Sequence, residues 1–404
     1  HKDEVLKRKT HHLEISRSEI EKGGHKFFMI KEILDQPRTL QNCMRGRVSI
    51  DCKSINLGGL SGEPLQRLLK ARRIIVCACG TSWHAGIVGE YLLEHLAGVS
   101  VEVEYASEFR YKKPVLFKDE DVVLVISQSG ETADTLAAVR ARCWSLRHIV
   151  LSLSLSLPLL FFFNAYTHTH THITQVREAK RQGVPTLGIV NVVGSTIGRE
   201  TDAGIYLHAG PEIGVASTKA FTGQVMVFSM LSILIGFKKG ILNQKQYEDH
   251  VMALSQIPAQ IAHILNNTSS VLEASKVYRY AQHMFFFGRG FNFPVALEGA
   301  LKLKEISYIH AEGYAAAELK HGPIALIDAS TPVVFVAPAS DNAYEKIKAN
   351  VLEASTQKAA IVVITEEDNK DFDDIAEFVF RIPRSKECFV PLLSVIPLQL
   401  LSYH

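Results

Sequence analysis

Charge of one sign is what this sequence lacks most plainly. Its 404 residues carry 44 lysines and arginines against 42 aspartates and glutamates, a net charge of +2. That balance removes any global electrostatic case for nucleic acid or an acidic membrane surface as partner. Cysteine is scarce as well. Six in a chain this long make no disulfide framework, and a reducing, cytoplasmic setting is expected. No signal peptide opens the chain, and His1-Lys2-Asp3-Glu4 holds no initiator methionine, so a start inside a longer protein is expected. The apolar stretch from Ile149 to Phe163 is broken by Pro158 and is too short for a comfortable membrane span. What remains, 47% hydrophobic and 21% charged, is the make-up of a soluble α/β protein of about two or three domains.

The chain is organised around Ser127-Gln128-Ser129-Gly130-Glu131-Thr132. The apolar, mostly β-branched run Asp121 to Ile126 precedes it and predicts a buried strand. Ala133 to Arg140 follows it and predicts a helix. N–H groups left over by a first helical turn point into such a junction, and the helix dipole adds positive potential. Ser127, Ser129 and Thr132 add side-chain donors, and Gly130 lets backbone come close. This is a phosphate cup without metal or lysine, although an N-cap with spare serines would read the same way. A second junction of the same kind follows the predicted strand Arg73 to Ala78, at Cys79-Gly80-Thr81-Ser82, and leads into a helix over Trp83 to Leu96. Ligands of parallel sheets sit beyond the carboxyl ends of the strands. Both turns are at such ends, so they can face one pocket.

The rest divides into a linker with capping helices over 1–50, a first α/β domain over 51–245 and a second over 246–404. The capping helices break at Gln36-Pro37. Residues of about 141–176 do not fit. Leu151 to Leu157 is a dipeptide repeat, and Thr167 to His172 alternates threonine and histidine. Nothing else supplies a cysteine or carboxylate at ligand spacing, so no metal is expected. The segment reads as an unspliced intron or gene-model error. Removing it joins Leu136–Arg140 to Glu178–Gly183 in one amphipathic helix with a glycine stop. The αβ rhythm resumes at Pro185. It runs through the Gly-rich loop Gly210 to Lys219 into a long helix from Ala220 to Gly236. Met284 to Gly290 is again a strand ending in a glycine turn, followed by a predicted helix from Pro294 to about His310. The repeated logic suggests an internal duplication. The last predicted helix, Pro391 to Tyr403, is apolar and ends with the chain. An exposed apolar end of that kind suggests truncation.

Several motifs together resemble one family. Cys79-Gly80-Thr81-Ser82, Ser127 to Leu136, Glu212 to Lys219, Leu297 to Tyr308 and Glu318-Leu319-Lys320-His321-Gly322-Pro323 are similar to the isomerase half of the glucosamine-6-phosphate synthases, the glutamine:fructose-6-phosphate amidotransferases. The resemblance runs from about residue 26 to 404, apart from the odd segment. It implies two sugar-isomerase (SIS) domains, each a parallel sheet flanked by helices in a three-layer α/β/α arrangement. It implies no cofactor, a homodimer, fructose 6-phosphate as substrate, and ammonia from a glutaminase domain upstream of His1. The family's tail lysine, which forms a Schiff base with the sugar, would lie downstream of His404. By resemblance Ser82, Ser127, Gln128, Ser129 and Thr132 hold the 6-phosphate with Thr81 nearby, and Val215 and Ser217 reach the sugar end. Glu305 resembles the base that moves a proton between C1 and C2, a role that suits a carboxylate whose proton affinity burial has raised. Lys302 projects from the same helix face. His321 resembles the ring-opening residue, given by the neighbouring subunit. Another SIS phosphosugar isomerase or deglycase, and a fragment that binds a sugar phosphate without turning it over, stay open as alternatives.

Overall fold

The computed structural model describes residues 20–112, 114–131 and 179–404. The segment read as an insert, the alternating histidines and Thr132 lie outside the described residues.

Two short helices lead in, α1 (Phe28–Leu34) and α2 (Gln36–Met44). Pro37 sits in the first turn of α2, where no N–H is required. The pair does more than cap the first half. Helix α2 packs on the helix Lys219–Lys238 of the first half and on the helix Gln244–Asn266 that follows it, while α1 packs on the last helix of the chain. Gln36 Nε2 donates to Gln399 Oε1 at 2.8 Å in a buried contact that joins the two halves.

The first half alternates α3 (Glu63–Lys70), β1 (Arg73–Ala78), α4 (Gly80–Ala97), β2 (Ser100–Tyr105), α5 (Ala106–Lys112), β3 (Asp121–Ser127), β4 (Thr186–Val190), α6 (Thr196–Glu200) and β5 (Ala203–Tyr206). Its sheet has the order β2-β1-β3-β4-β5, and all neighbours are parallel. Strand β3 is buried from end to end, as its unbroken apolar run predicts for a strand covered on both faces. Helix α7 (Lys219–Lys238) crosses behind the sheet against α4. Among the described residues it is the one helix long and apolar enough to cross a membrane, and 94% of its apolar window is buried within the protein. The two helices meet closely because Gly89 has no side chain. A Cβ there would lie 2.5 Å from the Phe228 ring.

Helices α8 (Gln244–Asn266) and α9 (Ser269–Tyr278) lead into the second half. It contains β6 (His283–Gly288), α10 (Phe293–Ser307), β7 (His310–Ala315), β8 (Pro332–Val336), α11 (Tyr344–Thr356), β9 (Ala360–Glu366), β10 (Phe378–Ile382) and α12 (Val390–Tyr403). The sheet order is β10-β9-β8-β6-β7, again parallel throughout. From the other edge this is the order of the first sheet, so the duplication extends to topology. Two expectations need correction. Helix α10 stops at Ser307, where Tyr308 turns left-handed with φ 61°, and the chain then forms the edge strand β7. The apolar end of α12 is not exposed: it is buried through Ser402 against α10, α8, α9 and α1.

Candidate active site at the boundary of the two halves

Strands β1 and β3 are neighbours, and the connections leave them toward opposite edges of the sheet. The crevice at their carboxyl ends is therefore the switch point where such sheets receive ligands. Cys79 precedes α4 without a side-chain cap, so the first-turn N–H groups are not satisfied by the helix's own cap. Ser82 lies in that turn. Its Oγ accepts from Gln224 Nε2 at 2.9 Å, which leaves the hydroxyl hydrogen to be donated elsewhere. Across the crevice, Ser127 Oγ accepts from Gly130 N at 3.0 Å and Ser129 Oγ accepts from Glu131 N at 3.1 Å. These bonds fix the turn. Gly130 has φ 65°, and a Cβ there would stand 2.1 Å from Ser195 Oγ, so conformation and space both demand glycine. Gln128 is half-buried, and its carbonyl accepts from Asn191 N at 3.3 Å.

The loop before α7 forms the next wall. Glu212 accepts from the Ser217 hydroxyl at 2.8 Å and from the N–H groups of Thr218 and Ala220 at 2.9 and 3.1 Å. It thereby occupies the N-terminus of α7. Glu32, from α1, accepts from Ile213 N at 2.6 Å and from Gly214 N. Burial pushes the Glu32 carboxyl up despite those two N–H groups, and burial pushes the neighbouring Lys219 ammonium down. Val215 points outward and is 98% exposed.

The second half contributes α10. Lys302 is buried and donates to Glu305 Oε2 at 2.6 Å and to Thr81 Oγ1 at 3.1 Å. Burial alone would lower its pKa. The carboxylates of Glu298 and Glu305 outweigh burial, with Glu212 adding to them, so the ammonium is held above the ordinary lysine range. The burial expected around Glu305 goes instead to its partners. Glu305 keeps 35% side-chain exposure, while Lys302 has 1% and Glu298 none. Thr81, Lys302 and Glu305 thus come together, with the serines of the first half on adjoining turns. His321 stands apart. It is exposed at the end of the turn Ala316–His321, and among the described residues no hydrogen bond or ion pair joins it to Lys302 or Glu305. The neighbouring Lys320 is paired with Glu353 of α11 at 2.9 Å.

Glu298 is the residue that sequence reasoning passed over. It accepts from Thr81 at 3.0 Å and meets His84 Nδ1 at 2.7 Å. A Glu–Lys pair at i,i+4 reads as a solvated helix face, and only the approach of α4 turns it inward. No group of metal-ligating residues occurs among the described residues.

The corresponding turn of the second half is closed. Ala339 N and Ser340 N, just beyond β8, donate to the buried carboxylate of Glu366 at the end of β9. An internal anion thus sits against the two N–H groups. Glu366→Ala should lower stability by about 2–4 kcal/mol, because two sheltered N–H donors lose their acceptor. Thermal melts check this, and an unchanged melting temperature would remove Glu366 from that role.

Fold and site define a tandem, doubly wound α/β protein whose first half ends β1 and β3 in hydroxyl-lined turns, while in the second a carboxylate fills the turn beyond β8. The SIS domain family matches residues 67–153, 144–234 and 278–404, and the chain belongs to that family. It is 48% identical over 392 residues to glutamine–fructose-6-phosphate aminotransferase (isomerizing) of Chlorobaculum tepidum, and 44% identical over 392 residues to the protein of that name from Bacteroides thetaiotaomicron. In both cases 97% of this chain is covered but 57% of the relative, so the chain spans little more than half the length of these curated relatives. The solved C-terminal domain of glucosamine-fructose-6-phosphate aminotransferase from Francisella tularensis superposes with a TM-score of 0.80 and 33% identity, covering 95% of this chain and 97% of that one. A putative phosphosugar isomerase from Silicibacter pomeroyi shares the fold, with a TM-score of 0.67 and 21% identity.

Proposed function

We propose that this chain is the isomerising half of an enzyme that makes glucosamine 6-phosphate from fructose 6-phosphate, with ammonia supplied by a glutaminase domain. The observation that carries the reading is the Lys302–Glu305 pair, presented by the second half beside Thr81 and the serine turns of the first. Ser82, Ser127, Gln128 and Ser129 hold the phosphate, joined by Thr132. Val215 and Ser217 line the sugar end. Glu305 keeps one oxygen on Lys302 and offers the other to the sugar, taking a proton from C1 and returning it to C2. The Lys302 ammonium balances the negative charge that develops on the sugar oxygens. His321 opens the ring in the site of a second copy, a reading that fits its having no hydrogen bond or ion pair to its own Lys302 or Glu305 among the described residues, and the working unit is a homodimer. The domains run over 51–245 and 246–404. The free thiols of Cys43, Cys52, Cys77 and Cys388 support a cytoplasmic setting.

The first test is ligand stabilisation. Fructose 6-phosphate at about 100 times its Kd should stabilise the native chain by about 2.7 kcal/mol, read as a rise in melting temperature. No rise at millimolar ligand overturns the assignment of substrate.

A further inference from the structure

Glu298 takes no part in the reading above, yet it is the fully buried charge at the boundary of the two halves. Its oxygens are divided between partners. Oε2 lies 2.7 Å from His84 Nδ1. Oε1 accepts the Thr81 hydroxyl at 3.0 Å and lies 3.5 Å from Lys302 Nζ. Thr81 and His84 stand three apart on α4, and Glu298, Lys302 and Glu305 stand on α10. Thr81 has a single hydroxyl hydrogen, and this geometry commits it to Glu298. The Thr81 oxygen is then turned to receive Lys302 at 3.1 Å. Thr81 is therefore part of the lysine's support rather than a donor to phosphate.

A buried carboxylate is a poor way to stabilise a helix contact, since an apolar pair of equal volume does so without desolvating a charge. What the carboxylate does supply is orientation. Lys302 has a long, rotatable stem, and three fixed acceptors hold its ammonium in one place. We propose that Glu298 is a positioning residue. It anchors on His84 with one oxygen, and with the other it sets Thr81 and Lys302. Glu305 is thereby held in register with the C1–C2 end of a sugar whose phosphate the first half binds. The proposal rests on the isomerase reading of Lys302 and Glu305.

The test compares the parent chain with E298Q, H84N and H84A. Fructose 6-phosphate binding is measured by calorimetry and isomerisation by kcat. The labelling rate of Lys302 by an amine reagent is measured by mass spectrometry. Misplacing a reacting group by about 1 Å costs on the order of 100-fold in rate, so E298Q should lose about that much kcat. Its Kd should change by less than about threefold, because the phosphate turns are untouched. H84A should lose part of the rate, and H84N, whose amide can still donate to Glu298, should restore it. Lys302 labelling should rise in E298Q and H84A. An unchanged kcat in E298Q, binding and turnover falling together, or H84N as poor as H84A would overturn the proposal. If the parent binds no fructose 6-phosphate, the functional reading has failed. The positioning role is then decided by labelling alone, and unchanged labelling in both variants overturns it.

Discussion

Glu305→Gln should leave fructose 6-phosphate binding intact and reduce isomerisation by on the order of 100- to 10,000-fold, the range attributed to a positioned general acid or base. The amide keeps the shape of the carboxylate and can still accept from Lys302, so packing around the 2.6 Å contact is little disturbed. It cannot take a proton from carbon. Binding is read by calorimetry and proton transfer by loss of deuterium from the C1 position of labelled substrate. Retained exchange in E305Q would remove Glu305 from the base role. Equal loss of binding and exchange would show instead that the residue holds the sugar. The exposure of Glu305 matters here. A group that keeps 35% of its side-chain surface can be reached by substrate without opening the fold, whereas Lys302 and Glu298 cannot.

The second large effect belongs to the phosphate turn. Ser127→Ala with Ser129→Ala should raise the Kd for fructose 6-phosphate by roughly 100-fold or more, since hydrogen bonds to a charged group contribute about 1.5–3 kcal/mol each. Stability should fall far less. The hydroxyls accept from Gly130 N and Glu131 N within the turn, and losing two such local bonds costs about 1–2 kcal/mol in total. Calorimetry and chemical denaturation on the same double variant separate the two quantities. Parallel loss of both would mean that the serines build the turn rather than receive a ligand.

The strands nearest these turns were legible because their residues allow little else. Arg73 to Ala78 and Asp121 to Ile126 are mostly apolar, rich in β-branched residues and bounded by turn residues, and the structure places strands over Arg73–Ala78 and Asp121–Ser127. His310 to Ala315 was not legible. His-Ala-Glu-Gly-Tyr-Ala has no alternation and no β-branched residue, and it is a strand because β6 offers it an edge. Gly313 also lets it lie against α10, where a Cβ would come within 2.7 Å of Leu297 Cα. Both facts are tertiary. The site divides in the same way. Hydroxyls at helix starts announce themselves by spacing, so Ser82, Ser127 and Ser129 could be found from order alone. Glu298 could not, because its role depends on His84 and Thr81, which lie more than two hundred positions away in the chain. Val215 shows the converse. The motif it belongs to is recognisable, but the loop leaves its side chain in solvent, held from behind by Glu32 and Glu212.

The two halves have come to treat the same turn as opposite kinds of object. On the proposed reading, the turn of the first half takes an outside anion, which competes with water and is present only when its concentration allows. In the second, Glu366 is tethered to the turn it fills, and a tethered group acts at an effective concentration of about millimolar or more without ever being depleted. Metabolite levels therefore do not set the occupancy of that turn. After duplication, one carboxylate at the end of one strand is enough to convert a receptor into a strut. On that reading the receptive turns belong to the first half, and the filled turn of the second does not wait on the supply of sugar phosphate.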